Sequence, residues 1–180
     1  MTLRGWSFIT SKRFYRGADI VYYVLLAALA VGLIAVRLNV MKIIVPSGSM
    51  LPTLEIGDVL YCWKGLNTES LQRGSLVVFY NEELDLLMIK RIIGLPGEVV
   101  EIKDGTVFIN GEDLVENYVL FCDSDRNGTF VVPEGHYFLL GDNRKNSNDA
   151  RYWVNPFISF ENLKAVAKLR VSPSSRFGFV

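Results

Sequence analysis

The sequence predicts a mainly β domain, antiparallel and partly closed into a barrel, preceded by one transmembrane α-helix. Three observations carry this reading. An uncharged apolar run, Ile20 to Val36, stands between Asp19 and Arg37 near the N-terminus. After it, short stretches rich in β-branched and aromatic residues alternate with turn residues. Two hairpin dipeptides, Asp104-Gly105 and Asn110-Gly111, bracket Thr106-Val107-Phe108-Ile109. Many short strands with frequent turns describe an antiparallel, barrel-like architecture.

The chain has 180 residues, half of them apolar, with 19 Lys and Arg against 19 Asp and Glu. That balance gives no pull toward nucleic acid or toward strongly acidic ligands. Residues 1–19 read as an N-terminal arm, 20–36 as the membrane helix and 37–180 as a single domain large enough to bury a core. No internal repeat or second domain boundary is visible.

The run from Ile20 to Val36 has 17 residues, the lower edge of what a helix needs to cross the hydrocarbon core. Arg4, Lys12, Arg13 and Arg16 precede it, against Arg37 and Lys42 after it, which predicts a cytoplasmic N-terminus and an outward-facing domain. Trp6, Phe8, Phe14, Tyr15, Tyr22 and Tyr23 cluster where amphipathic rings favour the membrane interface. A cleaved signal peptide is the competing reading. Its small-residue pattern, Ala28-Leu29-Ala30, lies in mid-span rather than after it.

Strands are predicted at Ile43-Val45, Val59-Trp63, Leu76-Tyr80 and Leu86-Ile93, each rich in β-formers. The hairpins of Val99 to Glu112 follow, then Phe130-Val132 and Tyr137-Leu140. Leu163 to Val171 reads as a final strand or a short helix.

Two features carry chemistry. Pro46-Ser47-Gly48-Ser49-Met50-Leu51-Pro52-Thr53-Leu54 follows the span, and Lys90 interrupts an apolar strand. A serine hydroxyl needs a base to become a nucleophile. The one histidine, His136, sits in the polar turn Pro133-Glu134-Gly135, where a half-exposed ring is the ordinary expectation. No Gly-x-Ser-x-Gly elbow occurs, and no serine has a lysine three positions later.

Lys90 is the better base. Strand alternation puts it on one face with Leu86, Met88 and Ile92, with Arg91 on the opposite face, where its charge can stay in water. An ordinary lysine, with a pKa of about 10.4, is neutral in only about one molecule in 2,500 at pH 7. Burial penalises the charged form and brings the pKa toward the working range of a base. Alone, a strand lysine of this kind is an edge or snorkelling residue, so the reading needs Ser49 and Lys90 together.

At these residues the chain resembles the type I signal peptidases, membrane-tethered serine endopeptidases that remove signal peptides from exported proteins. The likeness rests on Pro46 to Leu54, on Ile89-Lys90-Arg91-Ile92-Ile93-Gly94-Leu95-Pro96-Gly97-Glu98, and on Gly141-Asp142-Asn143-Arg144-Lys145-Asn146-Ser147-Asn148-Asp149-Ala150-Arg151. Val132 to Phe138 and Ser175 to Phe179 extend it over nearly everything after the span.

The resemblance implies a partly closed β-barrel-like peptidase domain of the signal peptidase type, with Ser49 as nucleophile and Lys90 as general base. Ser47 would stabilise the oxyanion together with the Ser49 backbone N–H, and Ser147 would hold the lysine amine in line. Asp142, Arg144, Asp149 and Arg151 would be supporting polar residues. Ala150 stands where the family commonly has serine, which puts one supporting hydrogen bond in question but not the dyad. Val45 and Ile89 would wall shallow pockets that accept small side chains, as in Ala-x-Ala-like sites; each also reads as plain core. By the same resemblance the partners are signal peptides of preproteins and the lipid bilayer, with no nucleic acid. The protein would act without a cofactor, as a monomer in the bacterial cell membrane with its catalytic domain on the extracytoplasmic face.

Asp123-Ser124-Asp125-Arg126-Asn127-Gly128, with Glu134 twelfth, matches a calcium-loop pattern on paper. Phe130-Val131-Val132-Pro133 occupies its second half, where a helix is required. One histidine and two distant cysteines do not make a zinc site. Cys62 and Cys122 would face an oxidising exterior, and their spacing leaves a disulfide open. Two other functions compete: a membrane-tethered β-domain that binds without cleaving, against which the intact Ser49, Lys90 and Ser147 argue, and a self-cleaving repressor-type peptidase, which would need a DNA-binding domain in place of the apolar span.

Overall fold

The computed structural model describes residues 7–68 and 71–180 of the chain. The readings placed on Arg4 and Trp6 lie outside these residues, as do the side chains of Phe8, Lys12, Arg13, Phe14, Tyr15 and Arg16. Two units are described separately, residues 1–39 and residues 40–180.

The first unit is the helix α1, Ser7–Asn39, which runs past both ends of the uncharged stretch. It contains no proline, and good helix formers fill Leu25 to Ala30. Its apolar part, Gly17–Asn39, has 23 residues, none of them buried. At 1.5 Å per residue this length exceeds the roughly 30 Å hydrocarbon core. Helix therefore extends well beyond the 17 residues marked by the absence of charge, because a lone Asp or Arg flanking an apolar run does not stop helical hydrogen bonding.

Among its described residues the second unit has twelve strands: β1 (Val40–Ile44), β2 (Val59–Trp63), β3 (Leu76–Asn81), β4 (Leu86–Gly94), β5 (Val99–Lys103), β6 (Thr106–Ile109), β7 (Glu112–Asp113), β8 (Gly128–Val131), β9 (His136–Leu140), β10 (Phe157–Ser159), β11 (Leu163–Ser172) and β12 (Gly178–Phe179). They form two antiparallel sheets. The larger has the order β1-β2-β11-β3-β4-β9-β10, with β12 added to β11, and the smaller has β7-β6-β5-β8. β1 and β10 end the larger sheet unpaired with each other, so the barrel is open. This is the partly closed β architecture expected from the sequence. Leu163 onward is a strand, not a helix.

Local signals account for the smaller sheet. Asp104 and Gly105 both have positive φ (49° and 82°), as do Asn110 and Gly111 (53° and 86°). That is the two-residue turn whose twist matches paired strands. β3 shows the opposite case, with Leu76, Val77, Val78 and Phe79 all buried. Leu76 and Val78 join one core cluster with Val45, Met50, Leu54, Leu60 and Ile89; Val77 and Phe79 join the larger cluster, which reaches Val100, Ile102, Val107 and Ile109 of the smaller sheet. A strand covered on both faces reads as a continuous apolar run. β4 pairs with β3 from Leu86 to Arg91, but its register with β9 begins only at Arg91. Residues 86–90 therefore keep one unpaired edge.

Candidate active site

Ser49 lies in a single 3-10 turn, Gly48–Met50, separated from the end of β1 by three residues. Met50 and Leu54 bury completely in the core and anchor the turn, with Leu54 N–H donating to the Met50 carbonyl at 2.9 Å. Asn143 holds the other side. Its side-chain amide donates to the Gly48 carbonyl at 3.0 Å, and its backbone N–H donates to the Ser49 carbonyl at 3.1 Å.

Lys90 arrives from β4, opposite Val77 of β3, and is 2% exposed. Its Nζ donates to Ser49 Oγ at 2.6 Å, across 41 residues of sequence. Burial pushes its pKa down from the ordinary 10.5 to about 8, against the pull of the Asp149 and Asp142 carboxylates, while the Arg151 guanidinium adds to the fall. An amine so placed is neutral often enough near neutral pH to accept a hydroxyl proton. His136 is engaged elsewhere, its Nδ1 lying 2.9 Å from the Glu134 carbonyl in its own turn.

Ser47 points its hydroxyl at Ser49 Oγ, 3.4 Å away. Ser147 is buried, and its hydroxyl has no hydrogen-bond partner among the described residues, so the bond to the Lys90 amine is not formed here. Gly141 explains the close packing at this point. A Cβ there would collide with the Ser147 hydroxyl and stand 2.6 Å from the Ser49 carbonyl oxygen, so only glycine fits.

Behind the dyad lies a buried ionic network. Asp149, fully buried, accepts the Gly141 N–H at 3.0 Å and both Nε (2.8 Å) and Nη2 (3.0 Å) of Arg151. Arg151 also pairs with Asp123 at 2.9 Å and donates to the Arg144 carbonyl at 2.6 Å. Arg144 pairs with Glu116 at 2.5 Å and donates to the Gly141 carbonyl at 3.0 Å. These ions are paired and hydrogen-bonded, which is the condition under which buried charge is tolerated. Ala150, between Asp149 and Arg151, packs into the main core.

Arg91 corrects one expectation. Its charge is met by a carboxylate, not by water: Nε and Nη2 fork onto Asp142 at 2.8 and 2.5 Å, and the guanidinium stacks 3.9 Å from the Tyr118 ring centroid. Alternation did send it away from Lys90, but that face is covered by the loop carrying Asp142. Sequence reasoning gave no role to Asn143, Glu116, Tyr118 or Thr53, whose hydroxyl donates to Asp142 at 2.5 Å. Asp142, Glu116 and Asp123, the distant carboxylates of Arg91, Arg144 and Arg151, lie 51, 28 and 28 positions away, and no local spacing announces such pairs.

A cleft of about 600 Å³ adjoins the dyad, lined by Ile43, Ile44 and Pro46, by Leu86, Met88 and Ile89, and by Ser47, Ser49 and Lys90. Ile89 lines it. Val45 is 1% exposed and packs in the core with Met50 and Leu54. The acidic loop lies between β7 and β8, without flanking helices, and its Asp123 is taken up by Arg151 and by the Tyr152 hydroxyl at 2.9 Å. Cys62, buried in β2, and Cys122, exposed, are both free thiols.

Residues 18–172 match the family model described as signal peptidase, peptidase S26. The chain is 41% identical to a probable signal peptidase I-1 of Synechocystis sp., over 74% of this chain and 72% of that one. It is 38% identical to a signal peptidase I of Leptolyngbya laminosa, over 74% and 70%, and 35% identical to signal peptidase I T of Bacillus subtilis, over 76% and 72%. With an N-terminal apolar helix and a serine turn set against a buried lysine, the chain belongs to the signal peptidase family, peptidase S26, as a membrane-anchored serine endopeptidase acting on signal peptides.

Proposed function

We propose that Ser49 is the nucleophile and Lys90 the general base of this type I signal peptidase. The observation that carries the reading is the 2.6 Å contact between Lys90 Nζ and Ser49 Oγ at an amine that is 2% exposed. The neutral amine takes the hydroxyl proton as Ser49 Oγ attacks the scissile carbonyl, and the resulting ammonium returns a proton to the leaving amine. A water molecule, activated by the same amine, then releases the acyl group. Ser47 and the Ser49 backbone N–H donate to the tetrahedral oxyanion, an arrangement worth about 3 kcal/mol of barrier per donor. Ser147 offers its unpaired hydroxyl oxygen to the ammonium while it exists, which gives that buried group a partner at the step that needs one. Asp142, Arg144, Asp149 and Arg151 keep the loop that carries Ser147 and Asn143 in place.

The substrate is an extended signal-peptide segment. β1 pairs on one edge alone, as do residues 86–90 of β4, so both strands offer backbone donors and acceptors beside the cleft. Ile89 walls a pocket for small side chains, and Val45 supports it from the core. Residues 1–19 form a cytoplasmic arm, the apolar helix crosses the bilayer, and the peptidase domain works on the extracytoplasmic face of the bacterial membrane as a monomer, without cofactor or nucleic acid. Cleavage of a preprotein by the full chain in detergent tests the dyad. Ser49→Ala and Lys90→Met are each expected to abolish cleavage while remaining folded, and wild-type turnover in either refutes the assignment.

A further inference from the structure

The serine turn is also held from the far end of the chain. Just past the turn, the Pro52 and Thr53 carbonyls are met by guanidinium groups. Arg170, on β11, donates Nη1 to the Thr53 carbonyl at 2.9 Å. Arg176, in the turn after β11, donates Nη2 to the same carbonyl at 3.2 Å and to the Pro52 carbonyl at 3.5 Å.

The two arginines are fixed to each other and to the segment just past the serine turn. Arg170 Nε donates to the Arg176 carbonyl at 2.5 Å. Both guanidiniums face Asp58, which is 1% exposed, at 3.4 and 3.3 Å, and Arg176 pairs with Glu55 at 2.8 Å. Asp58 in turn accepts the Glu55 N–H at 3.0 Å. On its other side Thr53 is tied through its hydroxyl to Asp142, and Arg91 Nη2 donates to that hydroxyl at 3.3 Å. The carbonyls of Gly48, Ser49, Pro52 and Thr53 are thus all held, the first two by Asn143 and the last two by the arginine pair.

Hydrogen bonds from a charged donor are stronger than neutral ones, and a planar guanidinium fixes direction as well as distance. A carbonyl shared by two such donors cannot rotate without losing both. Rotation at Thr53 is transmitted to Ser49 through one short turn, whose Ser49 hydroxyl must stay at hydrogen-bond distance from Lys90.

We propose that Arg170 and Arg176 are positioning residues of the peptidase, a guanidinium clamp through which the C-terminal strand and turn hold the Ser49 turn in register with Lys90. The proposal rests on the assignment of Ser49 and Lys90 made above. The clamp acts on the nucleophile's geometry and touches no substrate, so its loss lowers kcat and leaves KM in place.

The test measures steady-state preprotein cleavage by the full-length chain in detergent, for wild type, Ser49→Ala, Arg176→Ala, Arg170→Ala and Arg170→Lys, each checked for folding by circular dichroism. Arg176→Ala and Arg170→Ala are expected to lose about tenfold to a hundredfold in kcat with KM near wild type, the scale of a displacement of about 1 Å. Added guanidinium ion is expected to restore part of the kcat of Arg176→Ala, relative to its effect on wild type, and to leave Ser49→Ala inactive. Arg170→Lys keeps the charge beside Asp58 but cannot span the Thr53 and Arg176 carbonyls together, so it too is expected to lose kcat; it decides the matter if the alanine variants do not fold. Wild-type kcat in the folded arginine variants, a loss carried by KM, or a loss without guanidinium rescue overturns the clamp. An active Ser49→Ala overturns the dyad and the clamp with it, whereas an inactive Ser49→Ala beside fully active arginine variants removes the clamp alone.

Discussion

Replacing Lys90 with methionine should inactivate the protein and stabilise it. The side chain is 2% exposed, and burial lowers its pKa from 10.5 to about 8. That difference corresponds to about 3 kcal/mol by which folding disfavours the protonated amine. The sign follows from proton counting. Between pH 8 and 10.5 the unfolded chain holds a proton that the folded chain has released, so wild type gains stability as the pH rises through that window. Below pH 8 it bears the full penalty. Methionine fills a similar volume without the charge, at the cost of the hydrogen bond to Ser49, worth about 1 kcal/mol. Lys90→Met should therefore be more stable than wild type by about 2 kcal/mol at pH 7, with the advantage gone above pH 10.5. Urea unfolding followed by tryptophan fluorescence in detergent, run on both proteins across that pH range, measures the difference directly. A variant less stable than wild type at pH 7, or an offset that does not change with pH, would show that the amine is not held against its charge.

Three further outcomes are expected. kcat/KM for preprotein cleavage should rise about tenfold per pH unit below pH 8 and level off above it, because the neutral amine is the active form; a profile flat from pH 6 to 10 would contradict a lysine base. Asp142→Asn leaves the Arg91 guanidinium facing a neutral amide in a buried site and should cost about 3 kcal/mol in unfolding free energy, partly recovered by adding Arg91→Met. Thermal or urea unfolding of the two variants would reveal whether that recovery occurs. His136→Ala should retain wild-type kcat/KM, since its ring is bonded to the Glu134 carbonyl within its own turn; a folded but inactive variant would bring a histidine base back into the mechanism.

Much of this was legible in the residues themselves. The apolar run, the two positive-φ dipeptides and the β-rich stretches act through neighbours in the chain, and hairpin turns and strand alternation need no distant partner to be read. Pro46 to Leu54 and the Lys90 strand also carried their chemistry openly, because a serine without a usable histidine and a lysine amid apolar residues are each unusual on their own. β10 and β12 were not visible: at three and two residues, they exist only because longer strands offer them an edge.

The sequence by itself determined the helix before a β domain, the longer strands, and which side chains could do the chemistry. Only the tertiary structure decided where the charges go. Arg91 finds Asp142 across 51 positions, Lys90 finds Ser49 across 41, and Arg176 reaches Thr53 across 123. Pairings of this range depend on strand order and on which face a loop covers, and burial then sets the pKa of each group. Periodicity reports whether a side chain points inward; it does not report what meets it there.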